Sequence, residues 1–290
     1  MKNIIITGGL GFFGTNFNSQ FNKKLNIYLI GHKNKSKIRN SYFIDLKNIK
    51  ELKKFIYKKN IDTIIHAAAI TDVDYCEKNK KECFEVNTNL PIKLSKLSKQ
   101  CKVKFIFLSS DQLFNRNTKC KKENAVTKPI NNYGKSKVMA EIGILKNNNK
   151  ALILRTNFFG FAPKYKKSFS DWIIFNLKNK KKISLYQDIY FNPLYIKFLN
   201  NLLVKLSLKG SNGIFNASSD NKISKFQFGV KIAKKFKLNL KMIEKSKFDI
   251  KKHVAKRPKN MCLDNYKIKK ELNLNKISLD SQFNEMLKDL

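Results

Sequence analysis

The chain has 290 residues, 42% of them hydrophobic, so it is long enough to bury a core and is not a disordered segment. Its formal net charge is +39, yet nearly all of that charge is lysine, and arginine occurs only at Arg39, Arg116, Arg155 and Arg257. Because arginine makes the bidentate contacts to phosphate and guanine, we predict no specific nucleic-acid partner and expect the charge to attract an anionic small molecule.

The five cysteines lack CxxC spacing and have no histidine close in sequence, which predicts reduced thiols in a cytoplasmic protein and no metal site. No apolar run approaches about 20 residues, the length that a membrane-spanning helix needs. The first residues enter a short strand and then glycines, which argues against a signal peptide. We therefore expect no membrane partner.

The first predicted strand, Asn3–Thr7, runs directly into a glycine-rich turn and then a polar helix. Glycines in such a turn let the backbone bend tightly and approach a pyrophosphate, while the helix start offers N–H groups to the phosphates. A purely structural turn is the alternative interpretation. The pattern favours dinucleotide binding, with these candidate cofactor-binding residues: Gly8, Gly11, Phe12, Phe13 and Gly14.

A second strand is predicted over residues 25–30, where an acid at the carboxyl end would bind the ribose 2′-hydroxyl of NAD. Residues 31–35 contain no acid, but they include His32, Lys33 and Lys35. This predicts NADP(H) rather than NAD(H), with His32 and Lys33 near the 2′-phosphate. In so lysine-rich a chain, background charge is the alternative.

A third strand over residues 42–46 includes Asp45 and Leu46, and Asp45 could accept a hydrogen bond from the adenine amino group. A fourth strand over residues 61–66 ends in three alanines. Small residues at the carboxyl end of a strand leave room for a flat cofactor over the sheet edge. Further candidate cofactor-binding residues are therefore Asp45, Leu46, Ala67, Ala68 and Ala69.

A helix is predicted over residues 80–100, followed by an apolar fifth strand over 103–108 and a sixth over 151–155. Strands that alternate with helices predict an α/β fold, a Rossmann-type doubly wound parallel sheet. Its ligand crevice would lie where strands one, four and five end, and strand five ends at Ser109, Ser110 and Asp111. We assign residues 1–156 to the dinucleotide-binding domain.

Residues 157–290 are predicted to form a smaller α+β part that closes over the crevice and binds the substrate, with some segments returning to the sheet. The patterns there indicate a loop over 158–163, helices over 170–177, 195–206 and 225–236, and strands over 183–186 and 213–217.

Tyr133 and Lys137 stand four residues apart at the start of a predicted helix and so share one face of it. An ammonium held near a phenol favours the phenolate, so Lys137 could bring the pKa of Tyr133 into the range for proton transfer near neutral pH. An ordinary exposed helix start is the alternative.

These motifs together resemble the extended short-chain dehydrogenase/reductases, and among them dTDP-4-dehydrorhamnose reductase and its sugar-nucleotide reductase relatives. The resemblance covers essentially the whole chain. It is carried by Thr7-Gly8-x-x-Gly11-x-x-Gly14, residues 67–74, residues 109–114, Tyr133-x-x-x-Lys137, Leu154-Arg155-Thr156, Asn192-Pro193, and Arg257-Pro258-Lys259-Asn260.

The resemblance implies that Ser110, Tyr133 and Lys137 are catalytic, and that Tyr133 and Lys137 also contact the cofactor. It implies the following substrate-binding residues, of which Arg257 and Asn260 could also meet the cofactor: Thr71, Val73, Asp111, Gln112, Phe158, Arg257 and Asn260. The chain departs from the family pattern at Ser110 for threonine, Gln112 for an aromatic residue, Phe158 for tryptophan and Met261 for serine.

The activity implied is NAD(P)H-dependent reduction of the C4 ketone of a nucleoside-diphosphate 4-keto-6-deoxysugar, for deoxysugar and surface polysaccharide biosynthesis. The alternatives are a nucleotide-sugar epimerase or dehydratase, or a non-catalytic NADP-binding regulatory subunit like that of methionine adenosyltransferase. A dehydratase needs a carboxylate base where this chain has Gln112. A homodimer is compatible with the resemblance.

Overall fold

The computed structural model describes residues 2–31, 38–115, 119–163 and 168–289. Its strands are β1 (Asn3–Thr7), β2 (Asn26–Gly31), β3 (Ser41–Phe43), β4 (Thr63–His66), β5 (Lys104–Leu108), β6 (Leu152–Thr156), β7 (Phe158–Phe159), β8 (Ile183–Tyr186), β9 (Tyr190–Phe191), β10 (Leu194–Tyr195), β11 (Gly213–Ala217), β12 (Ile223–Ser224) and β13 (Ile243–Ser246). Its α-helices are α1 (Phe12–Phe21), α2 (Ile49–Lys58), α3 (Val73–Lys78), α4 (Lys80–Phe84), α5 (Leu90–Gln100), α6 (Asn132–Asn147), α7 (Phe169–Lys178), α8 (Ile196–Leu208), α9 (Lys225–Lys235), α10 (Tyr266–Leu272) and α11 (Leu279–Leu287).

Seven strands form one sheet in the order β11-β6-β5-β4-β1-β2-β3, and every pair in it is parallel. The chain passes from β1 through β2 to β3 at one edge and then continues with β4 on the other side of β1. This reversal puts a crevice at the carboxyl ends of β1 and β4, where Thr7 is paired with His66. The predicted doubly wound parallel sheet is confirmed.

Successive residues of the central strands bury against opposite faces of the sheet, which explains their unbroken apolar runs. Ile4 and Ile6 of β1 belong to the hydrophobic cluster on one face, and Ile5 belongs to the cluster on the other. The first cluster continues into the C-terminal half through Phe159, Phe228 and Phe283, whose ring centres lie 5.1 to 5.5 Å apart.

Three small pairings organise the C-terminal half: β7 with β10, β8 with β13, and β9 with β12. The interpretation of residues 158–163 as a loop alone was wrong, because Phe158 and Phe159 pair with Leu194 and Tyr195. The same pairing delays the start of α8 to Ile196. β7 and β10 are each only two residues long, too short to leave a periodic signal.

The predicted helix over residues 80–100 is interrupted by a π-helical turn at Glu85–Asn89. Pro91 follows this turn and has no N–H to donate to the carbonyl four residues earlier, so the wider turn accommodates the missing hydrogen bond. The predicted third strand is also displaced and shorter, ending at Phe43 rather than at residue 46. Among the described residues, no helix is both long and apolar enough to cross a membrane.

Candidate active site

The glycine turn lies directly against the alanine run after β4. Gly8 has a φ of +66°, and a Cβ there would come within 2.8 Å of the Ala68 backbone. A Cβ on Gly14 would come within 2.3 Å of the Gly9 carbonyl oxygen. Gly11 precedes α1 and supplies no side-chain cap for the N–H groups of its first turn. The cradle therefore fits the pyrophosphate of a dinucleotide.

Only some of the residues predicted to bind the adenosine half of the cofactor lie in the part of the chain that the structure describes. Asp45 is exposed after β3 and accepts a hydrogen bond from the Lys47 backbone at 3.0 Å, while Leu46 packs against the core below. His32, Lys33 and Lys35 lie outside the described residues.

Phe12 and Phe13, which follow the glycine turn, were also predicted to bind the cofactor. Phe12 is half-buried, with its ring centre 5.3 Å from that of Phe158, and Phe13 is buried.

Ser110, Tyr133 and Lys137 converge at the carboxyl end of β5. Ser110 follows that strand, and Tyr133 and Lys137 occupy the first turns of α6, whose start is fixed by Asn131 accepting from Gly134 N at 2.8 Å. All three candidate catalytic side chains are buried. The Ser110 side chain lies beside Tyr133 and acts to lower the pKa of its phenol, so the two hydroxyl groups could contact one substrate oxygen.

The protonation of Tyr133 differs from the expectation that Lys137 lowers its pKa. Burial raises the pKa of Tyr133, and the neighbouring Ser110 hydroxyl only partly opposes this. The Lys137 ammonium instead donates to the Leu108 carbonyl at 2.9 Å and lies 4.4 Å from the centre of the Phe107 ring. The phenol is therefore held protonated, the form that can donate a proton.

The pKa of Lys137 is itself shifted, and the charge of Lys137 shifts the pKa of His66. Burial lowers its pKa to about 8, while the nearby carboxylate of Glu141 acts in the opposite direction. His66, at the end of β4, shares a hydrogen bond with Thr7 through Nδ1 at 2.7 Å. Burial, and the charge of Lys137, lower the pKa of His66 to about 3, so its imidazole is neutral at pH 7.

A buried ion pair that the sequence interpretation missed holds α6 against the sheet. The Arg155 guanidinium of β6 contacts Glu141 of α6 at 2.7 Å, and Ser109 Oγ donates to the same carboxylate at 2.5 Å. Arg155 also donates to the Glu123 carbonyl at 3.0 Å. This network fixes the helix that carries Tyr133 and Lys137, so Glu141 and Arg155 are positioning residues.

A pocket of about 430 Å³ adjoins the catalytic group through Gln112, whose backbone N–H donates to Ser110 Oγ, and through Asn157, which donates to Asp111. Of the predicted substrate-binding residues, Gln112 and Arg257 line it. Met261, which the sequence analysis identified as a departure from the family pattern, also lines it. Sequence reasoning missed the other lining residues because they come from segments far apart in the chain: Asn157, Phe169, Trp172, Ser184, Leu185, Tyr186, Ile189 and Lys225. An aromatic wall with two cations suits an anionic ligand that carries a ring.

Asp111 is buried between the catalytic hydroxyls and this pocket. Asn157 Nδ2 donates to its Oδ2 at 2.8 Å, and Ser110 Oγ donates to its Oδ1 at 3.4 Å. Burial raises the pKa of Asp111 to about 6, although Lys225 and Asn157 both favour the carboxylate. Through these two hydrogen bonds, Asp111 connects the catalytic Ser110 with Asn157 in the pocket lining.

The remaining predicted substrate-binding residues lie outside the described pocket lining. Val73 packs in a buried cluster with Tyr133, and Thr71 is exposed just before α3. Phe158 is half-buried against Phe12. Asn260 is buried and accepts from Cys262 N at 3.2 Å, which shapes the segment that carries Met261.

Asp74 connects the start of α3 to the C-terminal segment that carries Arg257. Its carboxylate accepts from the Arg257 guanidinium at 2.8 Å and from Ala255 N at 2.9 Å. Hydrogen bonds and the charge of Arg257 hold the pKa of Asp74 below its usual range, despite the opposing effect of burial. Arg257 is thus oriented at the rim of the pocket.

The cysteines and the other candidate metal ligands form no metal site in the described part of the chain. All five thiols are free, and no group of three or more His, Cys, Asp or Glu side chains could hold an ion among the described residues.

The family described as the RmlD substrate binding domain matches residues 1–290, the whole chain. The chain belongs to this family. Among its relatives is the probable low-salt glycan biosynthesis reductase Agl14 of Haloferax volcanii, 27% identical over 82% of this chain and 80% of that protein. Another is a dTDP-4-dehydrorhamnose reductase of Aggregatibacter actinomycetemcomitans, 28% identical over 73% of this chain and 75% of that protein. The protein is an oxidoreductase of the RmlD type that uses an NAD(P) cofactor.

Solved structures share the RmlD fold along the whole chain. A hypothetical dTDP-4-dehydrorhamnose reductase from Sulfolobus tokodaii has a TM-score of 0.84 at 28% identity and covers 97% of this chain and 98% of its own. The Bacillus anthracis dTDP-4-dehydrorhamnose reductase in complex with NADP has a TM-score of 0.88 at 24% identity, with both chains fully covered. A dTDP-glucose 4,6-dehydratase of the same organism, in complex with NAD, has a TM-score of 0.80 at 19% identity over 99% and 96% of the chains.

The methionine adenosyltransferase 2 subunit beta of Bos taurus is also similar, at 24% identity over 91% of this chain and 80% of that protein.

Proposed function

We propose that this protein reduces the C4 ketone of a nucleoside-diphosphate 4-keto-6-deoxysugar with NAD(P)H. One observation carries the proposal: the phenol of Tyr133, which burial keeps protonated, lies beside Ser110, close to a pocket that contains Arg257 and Lys225. The names of the Aggregatibacter and Haloferax relatives support a sugar-nucleotide reductase. The product would serve deoxysugar and surface polysaccharide biosynthesis.

Each catalytic side chain has a distinct role in the proposed reaction. When bound, the reduced nicotinamide supplies a hydride to C4 of the sugar. Tyr133 donates its proton to the ketone oxygen as that oxygen becomes negative, and Ser110 donates a hydrogen bond to the same oxygen. Lys137, with a pKa of about 8, is largely protonated at pH 7 and would hold the nicotinamide ribose. Gly8, Gly11 and Gly14 would hold the pyrophosphate.

Within the NAD(P) class, we propose a preference for NADP(H). The complex of the Bacillus anthracis reductase with NADP supports this choice, while the related dehydratase is in complex with NAD. In this chain no acid follows β2, and Lys33 and Lys35 can neutralise a 2′-phosphate. We expect NADPH to be used at least as well as NADH. A strong NADH preference that survives Lys33→Ala and Lys35→Ala would contradict this.

Two alternatives make different predictions. A dehydratase needs a base where Gln112 lies at the pocket, and an amide cannot accept the C5 proton. A regulatory role, suggested by the similarity to the methionine adenosyltransferase subunit, would need neither turnover nor the Ser110–Tyr133 contact.

The deciding experiment is incubation with a panel of 4-keto-6-deoxy nucleotide sugars and NADPH in heavy water. We expect one NADPH oxidised per sugar, a 4-hydroxy product by NMR, and no deuterium at C3 or C5. Deuterium at either carbon indicates an epimerase. Formation of a 4-keto-6-deoxy sugar from a 4-hydroxy sugar without net cofactor use indicates a dehydratase. Tight NADP binding with no turnover of any sugar favours the regulatory subunit.

The cytoplasmic location, the homodimer, the absence of a specific nucleic-acid partner and the boundary between residues 156 and 157 remain predictions. Weak, sequence-independent binding to DNA that disappears with added salt would agree with a charge effect alone.

A further inference from the structure

Lys225 is a second cation in the pocket that neither the sequence motifs nor the catalytic group accounts for. It is the first residue of α9, where a reciprocal hydrogen-bonded cap between Ser224 and Gln227 fixes the start of the helix. Its backbone N–H donates to the Ile189 carbonyl at 2.9 Å. The helix cap and this hydrogen bond therefore fix the backbone of Lys225, and its side chain lines the pocket.

The Lys225 ammonium lies against aromatic rings rather than against a carboxylate. Its Nζ is 3.3 Å from the centre of the Phe191 ring and 4.8 Å from that of Phe169. Among the described residues, no carboxylate oxygen comes within 4.0 Å of this Nζ. Cation–π contacts offset only part of the cost of taking an ammonium out of water.

The neighbouring charges act on Lys225 in opposite directions. Burial lowers the pKa of Lys225 to about 8, with Asp111 opposing this effect and Arg257 adding to it. The Asp111 oxygens already accept hydrogen bonds from Asn157 and Ser110. A ligand anion would therefore give the Lys225 ammonium the direct negative partner that no carboxylate supplies in the described part of the chain.

The position of Lys225 indicates which part of the ligand it meets. The pocket is lined by Gln112, whose backbone N–H donates to Ser110 Oγ at 3.2 Å, by Asn157, and by the aromatic side chains of Phe169, Trp172 and Tyr186. A sugar with C4 at Ser110 points its C1 substituent away from the catalytic hydroxyls, toward the aromatic wall. In a nucleotide sugar, that substituent is the diphosphate.

We propose that Lys225 and Arg257 together bind the diphosphate of the substrate, and that Lys225 makes the pocket select a nucleoside diphosphate over a monophosphate. This inference rests on the proposed function, because it takes the substrate to be a nucleotide sugar. Lys225 binds through its own ammonium, whereas the Arg257 guanidinium is shared with Asp74.

The test is calorimetric titration of the full chain with thymidine and uridine as the nucleoside, its monophosphate and its diphosphate. NADP⁺ is kept in excess so that these probes do not occupy the cofactor site. We expect Lys225→Met to weaken diphosphate binding about tenfold or more, the effect of one hydrogen bond to a charged group, and to change nucleoside binding little. Lys225→Arg, which keeps the charge, should recover most of the diphosphate affinity.

The matched control is Lys234→Met, which removes the same charge from an exposed position on the same helix. We expect it to leave all affinities within about twofold, because charges exposed to solvent are screened by salt. Unaltered diphosphate affinity in Lys225→Met overturns the inference. An equal loss for the nucleoside overturns it as well, since Lys225 would then only shape the pocket. Wild-type protein that binds no nucleoside diphosphate contradicts the proposed function itself.

Discussion

The cofactor side and the substrate side of this site are constructed in different ways. At the glycine turn, backbone meets backbone, and there is no space for one methyl group on Gly8 or Gly14. In the pocket, side chains from segments between Gln112 and Met261 surround about 430 Å³. The first region is specified by a short stretch of chain, while the second depends on the whole tertiary structure.

This difference has a consequence for which changes the protein tolerates. A Cβ on Gly8 would lie 2.8 Å from the Ala68 backbone, which cannot move aside as a side chain can, so the cofactor side should respond sharply to the smallest substitution. The pocket wall is formed by side chains that can repack, so its residues can change while the reaction is kept. Of the four departures from the family pattern, those at Gln112 and Met261 are residues that line this pocket.

The largest effect is expected where the two regions meet, at the hydroxyl of Tyr133. Tyr133→Phe should lower turnover by about a hundredfold or more, the scale of a lost general acid, and leave the fold and NADP binding intact. The measurement is steady-state kinetics with a calorimetric cofactor titration. Tyr75→Phe, at an exposed tyrosine of α3, is the matched control. Near-normal turnover in folded Tyr133→Phe would refute the catalytic assignment.

On the cofactor side, Gly8→Ala should lower the free energy of unfolding by about 2–4 kcal/mol, combining left-handed backbone strain with overpacking against Ala68. Gly210→Ala is the control, because Gly210 has a φ of +76° but nothing within 4 Å of an added Cβ. It should show the strain alone and unchanged cofactor affinity. Equal losses of stability in the two variants would mean that the close approach to Ala68 costs nothing.

On the substrate side, Asp111→Asn tests the buried carboxyl. Its folded pKa of about 6 lies above the usual value of 3.8, so the unfolded chain releases the proton first and wild-type stability falls as pH rises between these values. Relative to Asp111→Asn, the wild type should lose on the order of 2 kcal/mol between pH 4 and 7. Denaturant unfolding across this range measures it, and parallel curves would show that Asp111 ionises freely.

The smallest effect is expected at the pocket wall. Tyr186 OH is hydrogen-bonded to His253 Nε2 at 2.8 Å, and Tyr186→Phe should cost about 1 kcal/mol of stability, the worth of one such hydrogen bond. Cofactor affinity should stay within error of wild type. A loss as large as that of Gly8→Ala would show that the pocket wall is as rigid as the glycine turn.

The sequence was sufficient to predict features that depend on residues close to one another along the chain. The bounds of β1, β8 and β11 were predicted without error, because apolar runs end at turn residues there. The four-residue spacing of Tyr133 and Lys137 likewise placed both on α6. The direction of the Tyr133 pKa shift was not predictable, because it depends on burial and on the Leu108 carbonyl taking the Lys137 ammonium.

Features that depend on contacts between residues far apart in the sequence were missed. Lys225 is one of 60 Lys and Arg residues, and only the fold reveals that its ammonium lies between Phe191 and Phe169. The Glu141–Arg155 ion pair joins a helix and a strand with no spacing rule between them. Two-residue strands such as β7 arise from pairing with β10 rather than from their own composition.

The return of β11 to the edge of the main sheet limits how this chain can be divided. All five residues of β6 are buried, and β11 covers the outer edge of that strand. A fragment ending at Thr156 would present this strand to solvent, with unpaired N–H and C=O groups and apolar side chains. Such an edge recruits other strands, so the fragment should self-associate. An investigator who wants the dinucleotide-binding half in isolation would have to retain residues 213–217, for example by circular permutation.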